Sequence, residues 1–312
     1  MSGVFAHTLE YATLIRNYFW NAAIRRAPRI RLGTGTGGEV ALRMQERLFP
    51  TWSLLDEASL EGLLGPAPAI SIVDHAASHL TEAPLVTLIR LMIVRAIAKK
   101  GLALTAKGNL SRGDVAALFA EFDWPGFDKE MTLALNKVLN EHDVYPVHMA
   151  RIVAGEAKLL RRHKGRFLAT NRAKVLIGPG QEAALYRVVF ETLLWRINLA
   201  YFDGVAIVDW PQDHIGLVLW SLSVSAQSWM APRALMPICT LPYGAEPLNQ
   251  WHTPEYAFEA RILRQLTYLG LMEARRSIAD HPFSRLEYRK APAFDQLLRF
   301  DVDYIERLRP AH

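Results

Sequence analysis

Cysteine is almost missing from this chain: Cys239 is the one thiol in 312 residues. A lone cysteine excludes an internal disulfide and any cysteine-rich zinc site, and a reducing cytoplasm is the compartment that fits most simply. The stretch MSGVFAHTLEYATLIRNYFW lacks the basic region, unbroken apolar core and small-residue cleavage site of a secretory signal, so no export is expected. Long apolar runs are also missing. The most apolar segment, Ile215 to Trp229, is interrupted by Ser221, Ser223, Ser225 and Ser228. It is too short and too polar to cross a hydrocarbon layer about 30 Å thick. It reads as a buried helix, and no membrane partner is expected.

Catalytic signatures are scarce as well. No G-x-S-x-G nucleophile elbow occurs. Gly33 to Gly38 formally satisfies G-x-G-x-x-G, but Arg29-Ile-Arg-Leu32 precedes it instead of an apolar strand, and no Gly-Lys-Ser/Thr follows. A flexible loop or turn is the simpler reading, and no cofactor is expected. His75 and His79 lie four apart, on one face of a helix, with Glu82 three residues further on. That spacing makes them a weak metal candidate. Ala76 stands where a zincin would carry its glutamate, and a helix start capped by Asp74 explains the same residues. Cys239, set among prolines and apolar residues, reads as a buried thiol. Trp195, Tyr201 and Trp220 sit at helical spacing among leucines and read as core.

Hydrophobic residues make up 51% of the chain and charged ones 21%, an ordinary globular balance that excludes extended disorder. The length allows two or three domains. Net charge is +5, yet residues 151–178 alone hold eight Lys and Arg against one Glu. The rest of the molecule is therefore mildly acidic on balance. Two short apolar-basic runs, Leu159 to Arg162 and Arg166 to Thr170, flank His163-Lys164-Gly165, a pattern that predicts a β-hairpin with a basic tip.

Helical periodicity predicts a buried amphipathic helix from Leu85 to Lys99, stopped by Gly101. A short strand LALT, a turn at Lys107-Gly108-Asn109 and a helix from Ser111 to Phe122 follow, with Ser111 as N-cap and Asp114 in the first turn. Further helices are predicted at Asp128 to Asn140 and Tyr145 to Ala157. Later candidates are Gln181 to Phe202, Ile215 to Trp229, Pro254 to Leu269 and Pro292 to Phe300, with a proline-punctuated loop at 231–254. A strand ending in Arg275-Arg276 and another at Arg285 to Lys290 repeat the hairpin plan. The fold class expected is mainly α with short β-hairpins: an N-terminal helical and loop region (1–83) and two winged-helix-like modules (84–180 and 181–312).

The runs GLALTAKGNLSRGDVAALFAEF and HMARIVAGEAKLLRRHKGRFLATNRAKVLI resemble a group of uncharacterised bacterial proteins, some of them borne by plasmids or mobile elements. The positions that carry the resemblance are Leu104, Thr105, Gly108, Asn109, Leu110, Leu160, Lys164, Gly165, Arg166, Thr170 and Lys174. It covers about residues 85–205 and implies a fold, not an activity.

The partner expected from the charge is nucleic acid, with duplex DNA as first choice. Arg161, Arg162, His163, Lys164 and Arg166 on the wing are the phosphate-contact candidates, joined by Arg172, Lys174, Arg151, Lys107 and Arg112. Arg25, Arg26, Arg29, Arg31, Arg275, Arg276, Arg285, Arg289 and Lys290 form a secondary basic surface. Sequence reading would need polar side chains on a helix. The helix before the wing offers only His148, Arg151, Glu156 and Lys158, so limited base recognition is expected. A protein-interaction scaffold whose wing meets an acidic partner is the alternative. An enzyme of unrecognised type, built on the Gly33 to Gly38 loop and the His75/His79 pair, is a further one.

Overall fold

The computed structural model describes residues 50–65, 70–73, 82–207, 209–243, 253–278 and 285–304. Most of the N-terminal helical and loop region, including the Gly33 to Gly38 loop, Arg25, Arg26, Arg29, Arg31, His75 and His79, lies outside the described residues. The chain is mainly α-helical with small antiparallel sheets. It divides into two compact units. Unit 1 takes the described parts of Met1–Ile72, Asp203–Arg264 and Met272–His312, and unit 2 those of Val73–Phe202 and Gln265–Leu271. Packing sets this division, not chain order: the boundary expected at residue 180 falls inside unit 2, because the helix after it docks on the helix at 84–98.

Unit 1 begins with a 3₁₀ turn at Thr51–Leu54 and helix α1 (Glu57–Leu64). The Asp56 side chain caps α1 by accepting the Ser59 N–H at 2.8 Å. Strand β1 (Ile70–Ile72) follows.

Unit 2 opens with α2 (Pro84–Ala98), whose first residue is a proline, pre-organised for a helix start. Leu85, Val86, Leu88, Ile89, Met92, Ile93 and Ala96 are buried, the stripe predicted from periodicity. Gly101, at φ +109°, turns the chain into β2 (Leu102–Ala103). A Cβ there would lie 2.5 Å from Leu168 Cδ2, so both the backbone angle and the close approach require glycine. Ser111 caps α3 (Arg112–Glu121) by accepting from the Asp114 N–H, as the sequence predicts. Helix α4 (Lys129–Leu135) is shorter than expected; the chain leaves helical geometry at Asn136 and takes a 3₁₀ turn at Glu141–Asp143.

Helix α5 (Tyr145–Glu156) leads into β3 (Leu160–His163) and β4 (Arg166–Ala169). Their register runs from Leu160 opposite Ala169 to His163 opposite Arg166. Lys164 (φ 44°) and Gly165 (φ 69°) make the two-residue turn between them, both with the positive φ that a type I′ turn needs. Strands β2, β4 and β3 form one sheet in that order. Thr170 caps α6 (Asn171–Leu176), and α7 (Glu182–Glu191) runs into a π turn at Thr192–Arg196 and a 3₁₀ turn at Leu199–Phe202. Helix α2 packs on α5, β4 and α7. The buried Tyr186 hydroxyl donates to the Leu269 carbonyl at 2.9 Å.

Returning to unit 1, α8 (Ile215–Ser225) is buried on almost every face. The segment expected as a loop at 231–254 instead begins with α9 (Pro232–Cys239), where Pro232 takes the first helical turn and Pro237 is accommodated inside. Helix α10 (Pro254–Phe258) continues through a π turn at Glu259–Leu263 into α11 (Arg264–Tyr268). A hairpin of β5 (Met272–Arg276) and β6 (Leu286–Lys290) follows. The predicted last helix stops early as α12 (Pro292–Leu297), because Leu298–Phe300 become β7 and pair antiparallel with β1.

Trp52, Leu54, Leu55, Leu60 and Leu63 pack with Leu217, Trp220 and Leu241 in one core, which draws residues 50–72 into unit 1. Cys239 is fully buried there, and burial pushes its thiol well above the usual range, as befits a core residue and not a nucleophile.

Arg261 is 1% exposed, and its guanidinium organises the loop that starts unit 1's second segment. It pairs with Asp203 at 2.6 Å and donates to the carbonyls of Val205, Ile207 and Trp210 at 3.0, 2.6 and 2.6 Å. Removing the cation strands a buried carboxylate and three carbonyls. Arg261→Met is therefore expected to destabilise the protein by about 3–5 kcal/mol, and Arg261→Lys to rescue little because an ammonium cannot span that fork. Urea denaturation monitored by tryptophan fluorescence measures both.

Candidate nucleic-acid interface

The basic residues of 151–178 do not form one uniform surface, because packing uses some of them. Arg166, opposite His163 at the hairpin turn, bends back over the end of α2: its guanidinium donates to the carbonyls of Lys99, Lys100 and Gly101 at 3.0, 3.1 and 2.6 Å. Carbonyls at a helix C-terminus have no intrahelical partner and carry partial negative charge. Arg166 supplies both hydrogen bonds and charge, and so fixes the hairpin to the helix. Arg172 does the same for α5 through the Ala157 carbonyl at 3.2 Å. Arg162 lies over the turn that precedes α3 and donates to the Gly108 carbonyl at 3.2 Å. A Cβ on Gly108 would come within 2.7 Å of that guanidinium.

Arg151 is not on the outer surface. It is 7% exposed, and its Nε donates to Glu141 at 2.5 Å. The sequence placed it outward by helical wheel alone, whereas the buried carboxylate beneath draws it in. Arg112, on the exposed start of α3, donates to Asn140 Oδ1 at 3.1 Å.

Arg161, His163, Lys164, Lys107 and Lys174 remain. All five are exposed, and no hydrogen bond or ion pair to a described residue engages their side chains. Arg161, His163 and Lys164 stand together at the hairpin tip.

The secondary basic surface in unit 1 differs in this respect. Arg275 pairs with Glu287 at 2.9 Å, Arg289 with Glu273 at 2.7 Å, and Lys290 with Asp295 at 2.5 Å. Trp229 accepts the Arg275 and Arg289 guanidinium groups at 4.5 and 4.6 Å from its ring centre. Arg276 and Arg285 are exposed on the same hairpin. Much of this surface is thus neutralised locally, in contrast to the tip of the first hairpin.

Helix α5, which leads into the β3–β4 hairpin, is mostly buried. Pro146, Val147, Met149, Ala150, Arg151, Val153 and Ala154 are all buried. Two of its polar residues, His148 and Arg151, are committed to Glu141, which is 1% exposed. Glu141 accepts from His148 Nδ1 at 2.8 Å, Arg151 Nε at 2.5 Å and the Leu110 N–H at 2.6 Å. Burial opposes its ionisation, but these donors outweigh it and hold the carboxyl below the usual range. Asp114 follows the same logic: burial is outweighed by Lys99, the Ala103 N–H and the Ser111 hydroxyl, and its pKa is lowered.

A second set of side chains, absent from the sequence-based candidates as a binding group, joins this region. His142 and His148 have ring centres 4.8 Å apart, and His148 stacks at 25° on Tyr201 with centres 6.0 Å apart. Tyr201 is 60% exposed, not core. Its position among leucines misleads because helical geometry ends before it, and the 3₁₀ turn at Leu199–Phe202 rotates it outward.

Residues 81–183 match the family model of the Y4jL N-terminal domain. The chain is also 36% identical over 74 residues to the uncharacterized protein y4jL of Sinorhizobium fredii (strain NBRC 101917 / NGR234), a span that is 24% of this chain and 34% of that protein. The chain thus spans about a third of the length of the curated relative it matches. No solved structure matches. Both similarities agree with the resemblance to uncharacterised bacterial proteins. Among the described residues, no helix is long and apolar enough to cross a membrane, and no group of His, Cys, Asp or Glu is arranged to hold a metal.

The two roles of the basic residues can be separated by stability. Arg166→Ala is expected to cost about 1–2 kcal/mol by exposing the α2 carbonyls, while Arg161→Ala and Lys164→Ala leave the thermal midpoint unchanged. Glu141 gives a pH signature. With its folded-state pKa below the usual 4.5, its network contributes fully above that pH and is lost as pH falls through the lower folded value. Glu141→Gln should therefore lower the thermal midpoint at neutral pH and approach wild type in acid below about pH 4.

Proposed function

We propose that unit 2 binds nucleic acid through phosphate contacts at the β3–β4 hairpin tip. The observation that carries this reading is the contrast in charge pairing: Arg161 and Lys164, beside the exposed His163, have no counter-charge among the described residues, while Arg162 and Arg166 hold the hairpin in place from behind. Cations left unpaired at high local density release condensed counterions when they meet a polyphosphate backbone. Lys107 and Lys174 extend the set. The order helix, strand, three helices, strand, strand (α2, β2, α3, α4, α5, β3, β4) supports a winged-helix description with the short α4 inserted and with β3 and β4 as the wing. Helix α5, in the recognition position of that arrangement, is too buried to enter a major groove, so recognition is by backbone and not by base edges of a duplex. Duplex DNA is the partner first expected, though phosphate contacts alone do not distinguish it from a single strand.

One observation favours a second reading, a protein-interaction role. Helix α4 has no buried residue, and Met131, Leu133 and Leu135 are 60%, 54% and 77% exposed. Apolar groups gathered on a short exposed helix suit a protein partner.

Fluorescence anisotropy with a labelled oligonucleotide over a salt series tests the first reading. Each phosphate contact adds about −0.9 to the log–log salt slope on duplex DNA. The double variant Arg161→Ala with Lys164→Ala should weaken binding and reduce that slope by about 2. A flat salt response, or a double variant that binds like wild type, removes the proposal.

A further inference from the structure

The geometry points to a ring-lined track beside the wing that takes unpaired nucleobases, so that this module prefers a single strand to a duplex. The inference rests on the phosphate-binding reading and deepens it. Contacts join the two regions step by step. Arg162 of the wing lies on Gly108 at 3.2 Å. The neighbouring Asn109 amide meets His142 Nε2 at 3.1 Å. His142 lies 4.8 Å from His148, and His148 stacks on Tyr201, whose hydroxyl is 3.4 Å from His148 Nε2. The hairpin is thus connected, through Arg162 and the Gly108-Asn109 turn, to a row of planar rings.

Three features suit bases better than a folded protein surface or a duplex. Planar rings stack on any base, since every base has a π face, and this is sequence-tolerant. Tyr201 exposes 60% of its surface, whereas Tyr186, Tyr268 and Tyr288 are buried. The row is also held rigid. An ionised Glu141 accepts the His148 Nδ1 proton, and Arg151 fixes Glu141 from within. Ring orientation is therefore set before a ligand arrives, which reduces the entropy lost on binding. The nearby Asp143 carboxylate is turned onto the Asn140 N–H and Nδ2 at 2.8 and 2.9 Å, so its oxygen is engaged within its own turn. Finally, α5, the helix in the recognition position, is mostly buried and offers little to a major groove. Exposed rings contact bases in another way, and they reach only bases that are unpaired.

The test compares three labelled probes of equal length: an oligothymidylate, the same backbone carrying a run of abasic sites, and a mixed-sequence duplex. The intact strand should bind about tenfold more tightly than the abasic strand, and more tightly than the duplex. Tyr201→Ala should erase the advantage of the intact strand and leave abasic binding unchanged, while Tyr201→Phe retains it. Arg161→Ala with Lys164→Ala should weaken all three probes. If wild type binds with a steep salt slope but treats intact and abasic strands alike, the ring track is wrong and the phosphate reading survives. If no probe shows salt-dependent binding, both fall. The wild-type comparison of intact and abasic strands decides the matter even if a variant proves unstable.

Discussion

A carboxylate withdrawn from water must be surrounded by donors, and unit 2 is built around that requirement at Glu141. The Leu110 N–H, His148 and Arg151 all converge on it. These donors come from the turn before α3 and from two positions on α5, so one buried charge aligns the elements that precede the β3–β4 hairpin. The uncompensated cost of such a charge is several kcal/mol, which is why removing any donor is felt while the whole network is nearly neutral. Arg261 solves the same problem with opposite sign in unit 1, where Asp203 and three carbonyls surround a buried guanidinium.

The buried charge also determines which polar groups are left for ligands. By drawing in Arg151 and fixing His148, Glu141 takes from α5 the residues with which a helix reads bases. What remains outside is the hairpin tip and the exposed Tyr201. Arg166 and Arg172 contribute in a parallel way. Each lies at the end of a helix and satisfies carbonyls there, so part of each guanidinium is committed to the protein itself. Structural and solvent-facing cations alternate along a few residues of one hairpin. A charge count over 151–178 cannot separate them, but hydrogen-bond geometry does.

Legibility from sequence varied with the range of the forces involved. Helix α2, the Ser111 cap and the hairpin with its Lys164-Gly165 turn follow from local rules: apolar spacing, a side-chain acceptor for a free N–H, and a two-residue turn at positive φ. Helix α9 was hidden by its prolines, which read as loop punctuation although Pro232 occupies a helix start and Pro237 is tolerated. The last helix was read as too long because Leu298–Phe300 find a strand partner more than two hundred residues away at Ile70–Ile72. Nothing near Phe300 in sequence signals that pairing. Tyr201 reads as core by spacing, and a change of helical pitch just before it puts the ring in solvent.

The sequence by itself determined the helical character, the single thiol and the position of the basic hairpin, because backbone preference and hydrophobic period act over a few residues. Tertiary structure alone decided which cations are spent on carbonyls and carboxylates and which face solvent. It also assigned residues 50–72 to a core shared with Leu217 and Trp220. The reason in both cases is the same: a side chain's exposure and charge pairing depend on what lies opposite it in space, and those neighbours come from distant parts of the chain.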